Sequence, residues 1–290
     1  MGIHPEAQDG TVAVGEASIP FYDTGKPGDS RPTVVLVHGT GGTALTHFRT
    51  LFPMFATGYR VIALDLQEPE GQVERQLEGQ QQLELEDLAA QVRAVMDERS
   101  PQSPVHLLGY SLGALVAATV AAQSPASVQT LTLVAGWVRA DGDQRLRNRI
   151  WAALKDADPQ LLREFATWTA FGQPYLGQRT DAELEALIRA RTTTDGASAQ
   201  MDLNRRADLS EVLAQISAPT LVVAAAFDKM VPARQTELLY GGISDARYAT
   251  IDTGHAVTAE RPAQLFQLVH GFISDPALIP ADRAYATAAV

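Results

Sequence analysis

Three side chains of this sequence have the types and settings that nucleophilic catalysis needs: Ser111, Asp228 and His255. Ser111 stands at the centre of Gly109-Tyr110-Ser111-Leu112-Gly113. A serine hydroxyl is a weak nucleophile and must pass its proton to a neighbouring base. Histidine suits that task because its ordinary pKa, about 6.5, lets it take and return a proton near neutrality. An aspartate on the other ring nitrogen would fix the tautomer and stabilise the imidazolium. Asp141 and Asp252 are the other acids to weigh for that role, and Asp252 is too near His255 in sequence to turn back onto its ring.

The elements around Ser111 fit a strained turn. Val105-His106-Leu107-Leu108, bounded by Pro104, reads as a short buried strand. Ala114 to Ala122 is apolar nearly all round and reads as a buried helix. A sharp strand-to-helix turn lifts the serine oxygen clear of its own backbone. The chain then crosses itself closely, so the positions two before and two after must be small, as Gly109 and Gly113 are. The start of the helix offers N–H groups and a positive dipole end where an oxyanion would form.

The rest of the chain supplies alternating strands and helices. Residues 11–23 read as an antiparallel edge hairpin, and Thr33–Val37 as a strand buried on both faces. That strand runs into His38-Gly39-Thr40-Gly41-Gly42, and a short helix from Leu45 to Phe52, stopped near Pro53, is expected next. Further strands are expected at Arg60–Leu64, Val128–Val134, Thr220–Ala225 and, last, Arg247–Ile251. Leu85, Leu88, Ala89, Val92, Val95 and Met96 mark an amphipathic helix, and Leu265 to Ile273 a closing helix begun near Pro262. The polar stretch from Asp65 to Gln82 reads as a solvated loop, and the tail after Asp275 shows no pattern. Alternation of this kind implies a mostly parallel sheet flanked by helices. Between 139 and 212 the pattern changes to charged helical segments, with a capping box at Thr180-Asp181-Ala182-Glu183. We read 139–212 as a helical lid inserted into one domain spanning 1–290. Tyr110, Trp137, Trp151, Trp168, Phe171 and Met230 are the candidates for a substrate pocket, the lid aromatics having core packing as their other use.

Ser111, Asp228 and His255 each follow an expected parallel strand, where ligands and catalytic groups collect. Their chain order, Ser–Asp–His, with His38-Gly39-Thr40-Gly41-Gly42, Asp228 before Val231-Pro232, and Gly254-His255, resembles the α/β-hydrolases of the lid-bearing esterase, lactonase and thioesterase type. The resemblance implies an α/β fold with a mostly parallel central sheet. It implies an oxyanion hole from the N–H groups of Leu112 and Thr40. Serine at position 111 disfavours the aspartate-nucleophile branch of that family. The loop after Asp65 departs from the common Asp-x-x-Gly-x-Gly form. The expected activity is hydrolysis of a small to medium, largely apolar ester, lactone or thioester through an acyl-enzyme. The alternative is carbon–carbon cleavage, lyase or cyclase chemistry with His255 as the base; a silent binding protein is the third possibility.

Composition narrows the classes further. A chain of 290 residues, 46% hydrophobic, can bury a sizeable core. A net charge of -11 argues against nucleic acid or an anionic membrane as partner, leaving a small-molecule substrate. There is no cysteine, hence no disulfide, and no His/Asp/Glu grouping has metal-ligand spacing. No cofactor is expected. Gly39-Thr40-Gly41-Gly42-Thr43-Ala44 with Asp65 imitates a dinucleotide fingerprint, but such a site would leave the serine turn unexplained. No signal peptide or membrane span is evident, so a cytoplasmic protein is expected; oligomeric state is not encoded legibly.

Overall fold

The computed structural model describes residues 2–68, 82–191, 197–278 and 284–286. The expected polar loop therefore falls largely, at 69–81, outside the described residues. In chain order the elements are β1 (Gln8–Val14), β2 (Ala17–Asp23), β3 (Thr33–Val37), α1 (Ala44–Phe48), α2 (Leu51–Ala56), β4 (Arg60–Leu64), α3 (Leu85–Arg99), β5 (Val105–Tyr110), α4 (Leu112–Gln123) and β6 (Val128–Val134). Then come α5 (Gly142–Ala157), α6 (Pro159–Ala170), α7 (Gln173–Leu176), α8 (Asp181–Arg189) and α9 (Ala197–Arg206). The chain ends with β7 (Thr220–Ala225), α10 (Ala233–Gly242), β8 (Ala246–Ile251), α11 (Val257–Glu260), α12 (Pro262–Ser274) and β9 (Ala284–Ala286).

The strands form one sheet in the order β1-β2-β4-β3-β5-β6-β7-β8-β9. Among the described residues of this sheet, the β1–β2 and β2–β4 pairings are antiparallel and the others parallel. Successive side chains of a strand point to opposite faces, and the core divides accordingly. Val35 and Val37 of β3 and Leu107 of β5 pack on the face covered by α3 and α4. Val34, Leu36 and Leu108 pack on the other face, with Phe48, Phe52 and Phe55 of α1–α2 and Leu265, Val269 and Phe272 of α12. That is why β3 reads as a continuous apolar run from Val34 to Val37. The sheet reverses direction of growth at β3: β4 lies to one side and β5 to the other. The loops after β3 and β5 thus open the crevice where an α/β sheet binds ligands.

Two expectations are corrected. The helix from Leu45 to Phe52 is two short helices, broken at Arg49 and Thr50, and Pro53 lies inside α2. Pro53 is tolerated because it occupies the first turn, where the missing N–H would have no helical partner. Arg247–Ile251 is not the last strand: residues 284–286 of the patternless tail pair parallel to β8. Three residues are too few to show periodicity.

His106 and Thr130 are opposite each other in β5 and β6 and are both buried, joined by a 2.9 Å hydrogen bond between Nδ1 and Oγ1. Burial pulls the His106 imidazole down to about 4. The unfolded chain takes that proton near the ordinary value of about 6.5, while the folded chain refuses it until about 4. The unfolded state binds more protons across that interval, so stability falls as pH drops from about 6.5 to about 4. Urea midpoints measured at pH 7.5 and pH 5 are expected to fall less in His106→Gln than in the wild type; an equal fall would remove His106 from the acid response.

Candidate active site

The turn after β5 is the strained one that its glycines permit. Ser111 has φ 57° and ψ -122°, a left-handed region that costs an L-residue of order 1–3 kcal/mol. A Cβ on Gly109 would lie 2.1 Å from the Gly113 carbonyl oxygen, and one on Gly113 would lie 2.2 Å from the Val37 oxygen. Neither position can carry a side chain without moving backbone. The turn is pinned to β6 by the Ser111 N–H, which donates to the Val134 oxygen at 2.9 Å. Leu112 follows as the first residue of α4, where its N–H has no acceptor within the helix.

The sheet brings Ser111, Asp228 and His255 together. His255 Nε2 is 2.9 Å from Ser111 Oγ, and His255 Nδ1 is 2.7 Å from Asp228 Oδ2. Asp228 Oδ1 accepts the N–H groups of Met230 at 2.7 Å and Val231 at 2.9 Å, so the turn after β7 orients the carboxylate. The other acids are elsewhere: Asp141 caps α5 through the Gln144 N–H, and Asp252 is exposed. His255 is steadied by the Tyr110 hydroxyl, which donates to its carbonyl at 2.9 Å, and by the 5.5 Å approach of the two rings. Burial pushes the Tyr110 phenol up, which keeps it a donor. Glu260 accepts the N–H groups of Gly172 and Gly254, clasping the α6–α7 turn to the turn that carries His255.

The loop after β3 is held from three sides. His38 is fully buried; its Nε2 accepts the Leu66 N–H at 2.9 Å, so Nδ1 carries the proton and donates to the Gly39 oxygen at 2.8 Å. His38 is thus a link between the β3 and β4 loops. His47 Nδ1 accepts the Gly39 N–H at 3.1 Å, and burial drives its pKa well below the ordinary value, which keeps the ring neutral. From α9, Asn204 Nδ2 donates to Thr40 Oγ1 and Gln200 Oε1 accepts the Gly41 N–H, each at 2.9 Å. The Gln200 N–H donates to Glu68, whose carboxyl burial pushes up to about 7. Asp65 accepts the Ala44 N–H at 2.6 Å and the Tyr22 hydroxyl at 3.1 Å. Its carboxylate thereby joins the start of α1 to β2.

A cavity of about 340 Å³ opens over Ser111 and His255. Thr40, Tyr110, Trp137, Trp151, Phe171 and Met230 are on its wall. Trp168 is not: it is 56% exposed, with the Lys229 ammonium 5.1 Å from its ring centroid. Leu162, Thr167 and Ala170 are the buried face of α6, and Trp168 stands a turn-fraction away from it, beside exposed Leu161 seven residues earlier. The sequence reading also missed Arg147 on α5, Arg191 after α8, and Asn204 on α9, all on the cavity wall. Arg147 sits among Arg145 and Arg149 in a segment that reads as a solvated charged face, and α9 makes its contacts about 160 residues away in sequence.

Comparisons with known proteins place the fold. A family model described as alpha/beta hydrolase fold matches residues 32–262. Pyrrolizixenacetamide deacetylase of Xenorhabdus hominickii is 29% identical over 266 residues, covering 90% of this chain and 97% of that one. The pimeloyl-[acyl-carrier protein] methyl ester esterase of Aeromonas hydrophila is 27% identical over 83% of this chain and 95% of its own. Among solved structures, the enol-lactonase of Burkholderia xenovorans LB400 superposes with a TM-score of 0.76 at 19% identity, over 92% of this chain and all of that one. With the strand order, the turn at Ser111 and the family match over most of its length in agreement, the chain belongs to the α/β-hydrolase fold family.

Proposed function

We propose that this protein is a serine hydrolase that cleaves a small to medium ester, lactone or thioester through an acyl-enzyme, with the amide bond of the Xenorhabdus relative as an adjoining type. The observation that carries the proposal is the continuous hydrogen-bonded line Ser111–His255–Asp228 at the floor of the cavity. Ser111 Oγ attacks the substrate carbonyl carbon while its proton passes to His255 Nε2. Asp228 balances the imidazolium. The N–H groups of Leu112 and Thr40 receive the oxyanion; one such donor is worth about 3–4 kcal/mol. The tetrahedral intermediate then expels the leaving group, which takes the proton from His255. Water, deprotonated by the same ring, releases the acyl group. In this reading α5 to α9 act as a lid that shapes the acyl pocket and anchors the Thr40 loop.

A fluorophosphonate probe tests the reading directly. One covalent adduct per chain is expected by intact mass, mapped to Ser111 and absent from Ser111→Ala. A folded wild type that stays unlabelled and hydrolyses no activated ester would overturn it and favour the lyase alternative.

A further inference from the structure

Among the described residues, six buried side-chain polar atoms have no hydrogen-bond partner, and four of them belong to residues on the cavity wall: Trp137 Nε1, Arg147 Nε, Arg191 Nη2 and Asn204 Oδ1. Buried polar groups are nearly always satisfied within a protein, so a cluster of exceptions calls for a reason. Three of the four are N–H donors. Two belong to guanidinium groups, which cannot shed their charge in a protein.

The two arginines differ from other partly buried arginines of the fold. Arg60 pairs with Asp23, and Arg206 with Asp202 and Glu84. Arg147 and Arg191 have no carboxylate within ion-pair distance among the described residues. Arg147 Nη2 spends one bond on the Asn148 side-chain oxygen at 2.5 Å, and Arg191 lies over the Phe171 ring at 5.0 Å. Burial works against both charges, pulling each guanidinium below its ordinary pKa. A buried charge left without its partner is strongly unfavourable; among the described residues these two guanidinium groups have no ion pair, Asp228 and Asp143 acting on Arg147 only from beyond ion-pair distance. The chain as a whole carries -11, which makes a concentration of positive charge at this place more pointed.

We infer that the substrate bears a carboxylate remote from the bond that is cleaved, and that Arg147 and Arg191 hold it. A carboxylate is planar and accepts hydrogen bonds only, which matches the fork of a guanidinium. Trp137 Nε1 adds a third donor, and Phe171 supplies the platform on which Arg191 is spread. The aromatic walls still take an apolar chain, so the expectation of a largely apolar substrate becomes that of an apolar spacer ending in an anion. This inference rests on the serine-hydrolase reading and deepens it.

Two pairs of esters locate the anion. Mono-4-nitrophenyl adipate against 4-nitrophenyl hexanoate places the carboxylate on the acyl side, with a chain long enough to keep it from attacking its own ester. 4-Acetoxybenzoate against 4-acetoxybenzamide places it on the leaving group. In at least one pair the anionic member is expected to have a kcat/KM about tenfold above its neutral partner. That ratio is expected to fall about tenfold in Arg147→Met and in Arg191→Met, and to be partly restored by lysine at either position. Reading a ratio cancels any general loss of activity. Should the variants fail to fold, the wild type alone decides: adipate is expected to inhibit competitively at concentrations where 1,6-hexanediol does not. Ratios at or below one in both pairs, or a wild-type preference that both substitutions leave intact, would overturn the inference. Fluorophosphonate labelling of the same preparation separates the two failures. A labelled enzyme without anion preference overturns this inference alone; an unlabelled, inactive one overturns the hydrolase reading with it.

Discussion

Ser111→Ala is expected to lower kcat on an activated ester by about 10⁴- to 10⁶-fold, equivalent to about 5–8 kcal/mol of barrier. In the proposed mechanism the substitution removes the atom that forms the acyl-enzyme, and it leaves the surroundings in place. The 2.9 Å contact to His255 is lost, but the imidazole keeps Asp228 on Nδ1 and the Tyr110 hydroxyl on its carbonyl. The Ser111 N–H, not its side chain, fixes the turn to Val134. Alanine is as ill at ease as serine at φ 57°, so the fold is expected to change by under about 1 kcal/mol. Thermal unfolding beside the kinetics checks that the loss is chemical. The comparison with His255→Ala is decisive between mechanisms. Two members of one relay cost nearly the same when removed singly. If instead His255→Ala were far more damaging than Ser111→Ala, the serine would be a hydrogen-bond donor and the carbon–carbon or lyase reading would replace acyl transfer.

The contrast between what could and could not be read from the chain follows range of interaction. Gly109, Ser111 and Gly113 are legible because their constraint is local. A Cβ at either glycine meets backbone oxygen within 2.5 Å, so the residue types record the crossing directly. The buried strands are legible for a similar reason: β3 presents Val34 and Leu36 to one core and Val35 and Val37 to the other, so four consecutive positions are apolar. Asp228 is legible through its position after β7, and its partner N–H groups on Met230 and Val231 are its own neighbours. Arg147, Arg191 and Asn204 answer to no local rule. Each is a polar residue in or beside a helix whose orientation over the cavity is set by packing, and a charged helix face looks the same whether it meets water or a ligand. Trp168 shows the converse. One aromatic residue carries no record of which side of α6 it occupies, and a single step of about 100° separates the buried face from solvent. The helix break at Arg49 and the three-residue β9 fall below the length at which periodicity speaks.

Asp228→Asn is expected to reduce kcat by about 10³- to 10⁴-fold without unfolding the protein, although it changes one atom. The direction of the effect follows from which oxygen has which partners. Oδ1 accepts two backbone N–H groups, from Met230 and Val231, and Oδ2 faces His255 Nδ1. An asparagine must keep its carbonyl oxygen on the two N–H donors, since turning its NH₂ toward them would set donor against donor twice. The NH₂ is thereby presented to His255 Nδ1. A ring nitrogen facing a donor must be the unprotonated one, so the neutral imidazole carries its proton on Nε2. That nitrogen then has no lone pair for the Ser111 hydroxyl, 2.9 Å away, and the base is lost while the constellation survives. Fluorophosphonate labelling of the variant is expected to slow in step with ester turnover, because both require Ser111 to lose its proton. KM is expected to change far less than kcat, since Asp228 stands behind the histidine and not on the cavity wall. A loss below tenfold would remove Asp228 from the relay. Asp141 could not take its place: that carboxylate is committed to the start of α5.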